Sequence, residues 1–314
     1  MAEIFGRDPI RELIMEHAYH IPALLEESLE GLNIRGDGVY VDVTFGGGGH
    51  SRAILERLSS GRLYAFDQDE DAAANIPDDP RFHFIRHNFR YLRNFLLYFG
   101  VGQVDGILAD LGVSFHDFDN AERGFSFRFS GDLDMRMNRN AQKTAADVIN
   151  DGDEDELIRV FKEYGEIQNA RRLVRELVQA RQVRPIRTID QFKAVIARCV
   201  HGKNETKYLA RAFQALRIET NGELDVLKEF LLQSVDLLKP GGRLVVITYH
   251  SLEDRLVKNF IRAGNFEGKQ EKDFYGHVTS VLTAVNRKVI VPDEQETERN
   301  PRARSAKLRI AEKR

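Results

Sequence analysis

The sequence predicts an α/β fold, a doubly wound and mostly parallel sheet into which an all-helical domain is inserted. Short buried strands alternate with helices up to residue 110, whereas residues 117–216 contain only segments with helical periodicity. A buried strand at Leu244–Thr248 then resumes the sheet pattern. We therefore predict a discontinuous domain of residues 1–116 and 217–314, with an inserted helical domain of residues 117–216.

The first part of the chain predicts four strands, because short apolar runs are each bounded by glycine, polar or acidic residues. The helices between them carry apolar residues at helical spacing. The predicted elements are, in order, strand Val39–Val43, a helix bearing Ile54, Leu55 and Leu58, strand Leu63–Phe66, strand Phe82–Ile85, helix Phe89–Phe99 and strand Val104–Ala109.

The inserted segment predicts helices with charged outer faces. Acidic residues at Asp153–Glu156 favour a helix start, and Gly165 favours its end. The apolar face of that helix consists of Leu157, Val160, Phe161 and Tyr164. The apolar face of the next helix includes Leu173, Leu177 and Val178.

The rest of the chain predicts one more helix and the last strands. Glu223–Leu238 has helical periodicity, and Lys239–Gly242 is typical of a turn. Val278–Val285 and Lys307–Ile310 predict further strands, and the alternation of polar and apolar residues in the latter is typical of an exposed edge.

Composition excludes several classes of protein. The 314 residues carry a net charge of −3 and 42% hydrophobic residues, which is ordinary for a globular protein. No apolar run approaches the roughly 18 residues of a membrane span, and the acidic N-terminus does not resemble a targeting signal, so we expect a cytoplasmic protein. The single cysteine, Cys199, excludes an internal disulfide and a thiolate metal cluster.

A glycine-rich turn follows the first strand and predicts a ligand site. Gly46–Gly49 would let the backbone approach a ligand closely. Ser51 occupies the place of the third glycine of the NAD fingerprint, and Asp42 inside the strand is typical of S-adenosylmethionine sites. A purely structural glycine turn remains the alternative.

Two further acids end strands. Asp67 follows the second strand, where a carboxylate can accept both ribose hydroxyls of an adenosine ligand. Asp110 follows the fourth strand, at the edge where open α/β sheets place ligands. The alternatives are a solvated turn for Asp67 and a helix or turn cap for Asp110.

Eight ordered motifs resemble those of the RsmH (MraW) family of bacterial 16S rRNA (cytosine-1402-N4)-methyltransferases. They extend from residue 20 to residue 305, so the resemblance covers nearly the whole chain. The motifs are His20–Glu26, the strand and glycine loop with Asp42 and His50, Asp110–Ser114, Ala121–Phe127, Leu133–Met137, Phe213–Ile218, His250–Arg255 and Asn300–Ser305.

The resemblance implies a Rossmann-like methyltransferase sheet, S-adenosyl-L-methionine as cofactor and a cytidine of 16S rRNA in the small ribosomal subunit as target. The family's cofactor contacts fall on Gly48, Gly49, His50, Asp67, Phe89 and Asp110. The next contact in the family is usually a glutamine, where this chain has Asp117, which lacks the donors of an amide.

The implied reaction is an attack by the exocyclic amine of cytosine on the sulfonium methyl group, in which positioning supplies most of the rate. Asp110 is the first candidate acceptor for the amine hydrogens, and the backbone of Leu111–Ser114 the second. His250 is a candidate proton acceptor or a helix cap. Tyr249 and Phe125 are candidates to stack on an extruded base, with a core position as the alternative.

Two basic segments predict the RNA surface. Residues 159–187 contain eight basic and three acidic side chains, and residues 299–314 contain seven basic and one acidic. In the helical run Lys207–Ile218, Lys207 and Arg211 share a face suited to phosphate contact. A DNA amino-methyltransferase, a non-catalytic ribosome-assembly factor and a NAD-dependent oxidoreductase remain the alternatives, and the sequence predicts no metal site and no particular oligomer.

Overall fold

A computed structural model of the protein describes residues 22–112, 120–200, 204–271 and 280–314. Among these residues, seven strands form one sheet in the order β3-β2-β1-β4-β5-β7-β6. The strands are β1 (Val39–Asp42), β2 (Arg62–Asp67), β3 (Phe82–Arg86), β4 (Val104–Asp110), β5 (Leu238–Thr248), β6 (Leu282–Ala284) and β7 (Lys307–Lys313).

The five strands β3, β2, β1, β4 and β5 are parallel, and β7 is antiparallel to both β5 and β6. The mostly parallel, doubly wound sheet predicted from the sequence is therefore confirmed. The strand order reverses between β1 and β4, and open α/β sheets bind ligands at the carboxyl ends of the strands at such a reversal.

The helices include every one that the apolar periodicity predicts, together with others that it does not predict. They are α1 (Leu25–Leu32), α2 (Gly49–Arg57), α3 (Leu92–Tyr98), α4 (Ala145–Asp151), α5 (Glu154–Arg159), α6 (Ala170–Val183), α7 (Ile189–Ile196), α8 (Glu205–Asn221), α9 (Glu223–Leu237), α10 (Ser251–Ala263) and α11 (Glu294–Arg299). Thr144 and Thr188 start α4 and α7 with reciprocal side-chain caps, to Asp147 and Gln191.

Two predicted helices change character along their length. Phe89–Phe99 is a 3-10 turn at Phe89–Tyr91 followed by α3, and the helix that begins at α5 continues as a π-helical turn over Val160–Tyr164. Gly165 ends this second helix, as predicted.

Buried apolar side chains form separate clusters in the two parts of the chain. One cluster extends from Phe125 to Leu216 and includes the rings of Phe161, Phe192 and Phe213. Two others cover the two faces of the sheet, with α9 and α10 on one face and α1 and α2 on the other. The domain boundaries at residues 116 and 217 stay a prediction.

Two features of the last strands differ from the sequence predictions. The predicted turn Lys239–Gly242 lies inside β5 as a bulge. The pairing of β4 with β5 shows the shift in register there, since Val104 pairs with Leu238 whereas Gly106 pairs with Arg243. The segment Lys307–Ile310 belongs to β7, which has neighbours on both sides and so is not an edge.

The alternation in β7 has another cause than solvent exposure. On one face of the strand, Leu308 and Ile310 are buried against the core. On the other face, Lys307 and Arg309 form ion pairs with Asp254 of α10 at 3.7 and 2.7 Å. The polar residues of an internal strand are thus paired with a helix.

Candidate active site

A cavity of about 600 Å³ opens at the carboxyl ends of β1, β2, β4 and β5, between the sheet and the inserted helices. The strand ends and following loops contribute one side of its lining, and the inserted segment contributes the other. The lining from the sheet includes Gly46, Gly47, Gly49, His50, Asp67, Gln68, Asn88, Phe89, Asp110, Gly112, Tyr249 and His250. The lining from the insertion includes Phe125, Phe127, Phe129, Met137, Phe213 and Gln214, and Arg217 follows directly after it.

The glycine loop turns twice through left-handed backbone conformations. Gly46 and Gly48 have φ angles of +50° and +77°, which glycine adopts without strain. Around the Cβ position of Gly46 no described atom lies within 4 Å, so the loop leaves open space there. At Gly48 a Cβ would stand 3.0 Å from the Phe45 ring, and Gly48 does not line the cavity. Gly49, which does, begins α2.

Asp42 is buried and stabilises the conformation of this loop through hydrogen bonds. Its carboxylate accepts hydrogen bonds from the Ser51 hydroxyl at 2.7 Å and from the Thr44 N–H at 3.0 Å. Only 1% of the residue is exposed, it does not line the cavity, and burial raises its pKa. The structure thus places Asp42, expected from the sequence to contact the cofactor, in a position that shapes the loop instead.

Asp67 ends β2 and lines the cavity. Its Oδ2 accepts a hydrogen bond of 2.8 Å from the Gly46 N–H, and its Oδ1 accepts one of 2.9 Å from the Asp69 N–H. Burial raises the pKa of Asp67 to about 6, against the lowering effect of those two bonds. The carboxylate is therefore fixed in direction, and each oxygen keeps a lone pair for a ligand hydroxyl.

Asp110 ends β4 and also lines the cavity. Its backbone N–H donates a 2.7 Å hydrogen bond to the Thr44 hydroxyl, which fastens the strand end to the glycine loop. Its Oδ1 is buried without a hydrogen-bond partner among the described residues. Burial raises the pKa of Asp110 to about 6, although the Tyr249 hydroxyl and the Gly112 N–H act to lower it. A buried acceptor without a partner is costly, which points to a ligand donor at this place.

His50 lies in α2 with its Nδ1 3.9 Å from Asp110 Oδ2. It is 6% exposed, and burial lowers its pKa, opposed by the Asp42 charge and the Ala23 carbonyl. Phe89 lines the cavity, and its ring packs edge-on against Phe230 at a centroid distance of 5.4 Å. Ser114 and Asp117, the remaining predicted residues of this region, lie outside the described residues.

Tyr249 follows β5 and packs against the loop after β4. A Cβ at Gly112 would lie 2.9 Å from the Tyr249 ring, so only glycine fits there without a shift. Burial and the nearby Asp110 raise the pKa of Tyr249 well above its usual value. The hydroxyl therefore stays protonated and faces the Asp110 carboxylate.

His250 caps α10, as one of the two sequence hypotheses has it. Its Nδ1 accepts the Glu253 N–H at 3.4 Å, and its Nε2 lies 3.1 Å from Glu253 Oε1. Glu253 is buried; burial acts to raise its pKa, but His250 and Arg217 outweigh it, and the pKa is lowered. One residue, Glu253, thus faces both ring nitrogens, with its backbone N–H at Nδ1 and its carboxylate near Nε2.

The described groups best placed to hold a metal ion are Glu223, His250 and Glu253, whose ligand atoms lie within 4.8 Å of one another. Arg217 donates two hydrogen bonds to Glu223, of 2.8 and 2.9 Å. The guanidinium thus supplies a positive charge beside these acids and occupies both oxygens of Glu223. No single short motif contains this cluster, because Arg217 and Glu223 come from α8 and α9 whereas His250 and Glu253 come from the start of α10.

Several basic residues of the predicted RNA surface instead bind other groups of the protein. Arg159 pairs with Glu219 at 2.9 Å, Arg181 donates to the carbonyls of Ile149 and Gly152, and Arg172 donates to the Arg198 carbonyl. Other members of the first segment are exposed with no contact among the described residues that would hold their side chains: Arg171, Arg175, Arg184 and Arg187. From the C-terminal segment, Arg302 reaches the cavity lining. None of the described helices is long and apolar enough to cross a membrane.

Comparison with known proteins gives one consistent family. The sequence profile of the MraW methylase family matches residues 17–314. The chain is 61% identical to the Ribosomal RNA small subunit methyltransferase H of Parabacteroides distasonis, over 95% of this chain and 98% of that protein. The protein of the same name from Bacteroides thetaiotaomicron is 60% identical over 95% of this chain and 98% of its own length. A solved rRNA methylase from Streptococcus thermophilus shares 14% identity at a TM-score of 0.42, covering 94% of this chain and 98% of that one.

Proposed function

The chain belongs to the MraW methylase family, and from that premise we propose that it methylates the N4 amine of a cytidine of 16S rRNA, at the family's position 1402, using S-adenosyl-L-methionine. The observation that carries the proposal is the cavity in which Asp67 and Asp110, at the ends of β2 and β4, face aromatic residues of the inserted helices. The cytoplasmic small ribosomal subunit is the proposed partner, and the curated relatives named above support the rRNA substrate.

The cavity fits an adenosine-containing cofactor. Asp67 is oriented by Gly46 and Asp69 to accept ribose hydroxyls, and the open space at Gly46 lets the ligand approach the backbone. Phe89 offers an apolar contact for the adenine at the side of the cavity. When bound, S-adenosylmethionine supplies an electrophilic methyl group on a positively charged sulfur.

Asp110 is the residue we assign to the target amine. Its buried Oδ1 lacks a donor among the described residues, and the cytosine amine has two N–H groups to offer. A carboxylate that accepts such a hydrogen favours the pyramidal nitrogen needed for attack, and positioning supplies several kcal/mol, on the order of 7 to 11 in favourable models. With its pKa raised to about 6, Asp110 is also a better proton acceptor than an ordinary aspartate. The backbone at Leu111–Ser114 stays a second candidate acceptor.

His250 is the less favoured proton acceptor. Both of its nitrogens lie against Glu253, at 3.4 and 3.1 Å, and it caps α10. We therefore propose that His250 positions the segment Thr248–Tyr249 and thereby keeps the Tyr249 ring beside Asp110.

The inserted helices and their flanking loops supply the proposed site for the target base. Phe125, Phe127 and Phe213 line the cavity opposite the sheet, and Phe127 packs edge-on against Phe213 at 5.6 Å. Flipped or unpaired bases are commonly bound against aromatic faces. Residues 117–216 are on this proposal the substrate-recognition domain, with exposed arginines of α6 and its following loop and the C-terminal segment as the RNA surface.

The test is methyl transfer from labelled S-adenosylmethionine to small ribosomal subunits that lack the modification, followed by nucleoside analysis. We expect N4-methylated cytidine, and its loss in Asp110→Ala. Product on another base would overturn the substrate assignment, and product on DNA alone would favour a DNA amino-methyltransferase. Absence of transfer despite measured cofactor binding would favour an assembly factor, and stabilisation by NAD but not by S-adenosylmethionine an oxidoreductase.

A further inference from the structure

Arg123 is a buried arginine to which the proposed reaction gives no task. It ends the 3-10 turn Ala121–Arg123, only 4% of it is exposed, and its guanidinium faces the loop after β2. Its Nη1 lies 3.3 Å from Asp69 Oδ2 and 3.7 Å from Asp71 Oδ2. Arginine–carboxylate pairs removed from water have a well-defined geometry, and breaking one leaves a buried charge without compensation.

The partner of Arg123 is in turn a partner of the proposed ribose carboxylate. The Asp69 N–H donates a 2.9 Å hydrogen bond to Asp67 Oδ1. The side chain of Asp69 also accepts the Asp71 N–H at 3.2 Å, which shapes the turn after β2. Arg123 therefore holds the turn whose backbone sets the direction of the Asp67 carboxylate.

The other end of the guanidinium holds the opposite wall of the cavity. Nη2 of Arg123 donates hydrogen bonds of 3.2 Å to the carbonyls of Arg136 and Met137. The Met137 N–H donates a 2.9 Å bond to Asn221 Oδ1 at the end of α8, and both of these residues line the cavity. Gly124, with φ +74°, follows directly, and a Cβ there would lie 2.7 Å from the Asp132 carbonyl oxygen.

We propose that Arg123 is a positioning residue that couples the cofactor half of the cavity to the target half, by holding the Asp67 turn and the Met137 wall with one side chain. The proposal rests on the proposed function, since it takes Asp67 as the ribose acceptor.

The test compares two ligands that differ only at the ribose. The dissociation constants of S-adenosylhomocysteine and of its 2′,3′-dideoxy analogue are measured by calorimetry for the parent, Arg123→Ala and Arg139→Ala. Arg139 is a matched control from the same segment, 44% exposed and 3.8 Å from Asp71. We expect at least a tenfold loss for S-adenosylhomocysteine in Arg123→Ala, less than a twofold loss for the dideoxy analogue, and less than twofold changes in the control.

A double-mutant cycle with Asp69→Asn tests whether Arg123 affects ligand binding through Asp69. Because Arg123 acts through Asp69, the double variant should bind S-adenosylhomocysteine about as weakly as the weaker single variant. Fully additive losses would overturn the proposal. Equal losses for the two ligands would also overturn it, since general destabilisation does not distinguish a ribose from a dideoxyribose.

Fold defects and failure of the proposed function give different results. If Arg123→Ala unfolds, Arg123→Lys decides, because lysine keeps the charge but not the forked contacts; the same ribose-dependent loss supports the proposal, and unchanged binding overturns it. A parent that binds no S-adenosylhomocysteine would overturn both this inference and the cofactor assignment. A parent that binds, with an unaffected and folded Arg123→Ala, would overturn this inference alone.

Discussion

The Gly46 N–H donates a 2.8 Å hydrogen bond to Asp67 Oδ2, so the glycine loop after β1 and the acid at the end of β2 form one unit. A ligand that binds Asp67 thus meets a carboxylate whose direction is fixed by the loop itself. A substitution at Asp67 is therefore expected to disturb both the ligand contact and the loop.

Asp67→Asn should weaken S-adenosylmethionine binding about 10- to 150-fold, which corresponds to about 1.5–3 kcal/mol for a hydrogen bond to a charged group. An amide oxygen can replace only one of the two carboxylate acceptors that Gly46 and Asp69 use. Calorimetry measures the effect, with Asp78→Asn at an exposed site as control. Binding within twofold of the parent would contradict the role of Asp67.

Asp110→Asn should stabilise the ligand-free protein at pH 7.5 while abolishing methyl transfer. The pKa of Asp110 is raised by burial to about 6 in the folded protein, above the unfolded value of about 3.9. Between these two pH values the folded state binds more protons than the unfolded state. The contribution of protonated Asp110 to the free energy of unfolding is therefore fully present below about pH 4 and is lost as the pH rises through 6. Two pKa units correspond to up to about 3 kcal/mol.

Denaturant unfolding at pH 7.5 and pH 4.5 checks this sign. The variant should exceed the parent in free energy of unfolding at the higher pH, and the difference should shrink at the lower one. A variant that is equally destabilised at both values would show that the Asp110 charge is not the cause.

The pH dependence of the rate of single-turnover methyl transfer should follow the ionisation of Asp110. With the pKa of Asp110 at about 6, the rate should rise with pH to a plateau above about 7, because only the carboxylate accepts the amine hydrogen. The measurement uses saturating cofactor from pH 5 to 8.5. A rate that is flat across pH 6 would assign proton acceptance elsewhere.

His250→Asn should keep at least a third of the activity, whereas His250→Ala should lose more and should melt at a lower temperature. The His250 side chain accepts the Glu253 N–H at the start of α10, and asparagine is a good helix cap, whereas alanine costs about 1 kcal/mol there. Thermal unfolding and kcat are measured for both variants. A loss of 100-fold or more in a well-folded asparagine variant would show that the imidazole itself accepts the proton.

The sequence predicts the parallel part of the sheet well because the apolar residues of β1, β2 and β4 are mostly buried, and these strands therefore form short apolar runs ended by acids. The same pattern brings Asp67 and Asp110 to one edge. Asp42 shows the limit: its position in the strand is apparent from the sequence, but its direction depends on Ser51, nine residues later. Local patterns do not encode which face of a loop a side chain supports.

Long-range pairing explains what the sequence did not predict. The ion pairs of Lys307 and Arg309 with Asp254 connect segments more than 50 residues apart, so an internal strand has the polar pattern of an edge. Glu253 likewise meets Arg217 and Glu223 only because α10 packs against α9. A register shift such as the bulge in β5 depends on the neighbouring strand, and the glycines of its sequence are equally typical of a turn.

Gly112→Ala should lower kcat at least tenfold and destabilise the protein by about 1–3 kcal/mol. An added Cβ would lie 2.9 Å from the Tyr249 ring, which must then move away from Asp110. The matched control is Gly102→Ala, where no described atom lies within 4 Å of the added Cβ. Kinetics and thermal unfolding of both variants check the prediction, and equal behaviour of the two would contradict it.

Reversing the exposed charges Arg171, Arg175 and Arg184 to glutamate should weaken binding of small-subunit RNA and flatten its salt dependence. These side chains are exposed on α6 and just beyond it, in contrast to Arg181, whose guanidinium holds the Ile149 and Gly152 carbonyls. Each lost phosphate contact should reduce the slope of log K against log salt by about 0.7–0.9. Binding is measured between 50 and 300 mM salt, and S-adenosylmethionine affinity should stay the same because none of the three residues lines the cavity. An unchanged slope would move the RNA surface away from α6 and leave the C-terminal segment as its remaining candidate.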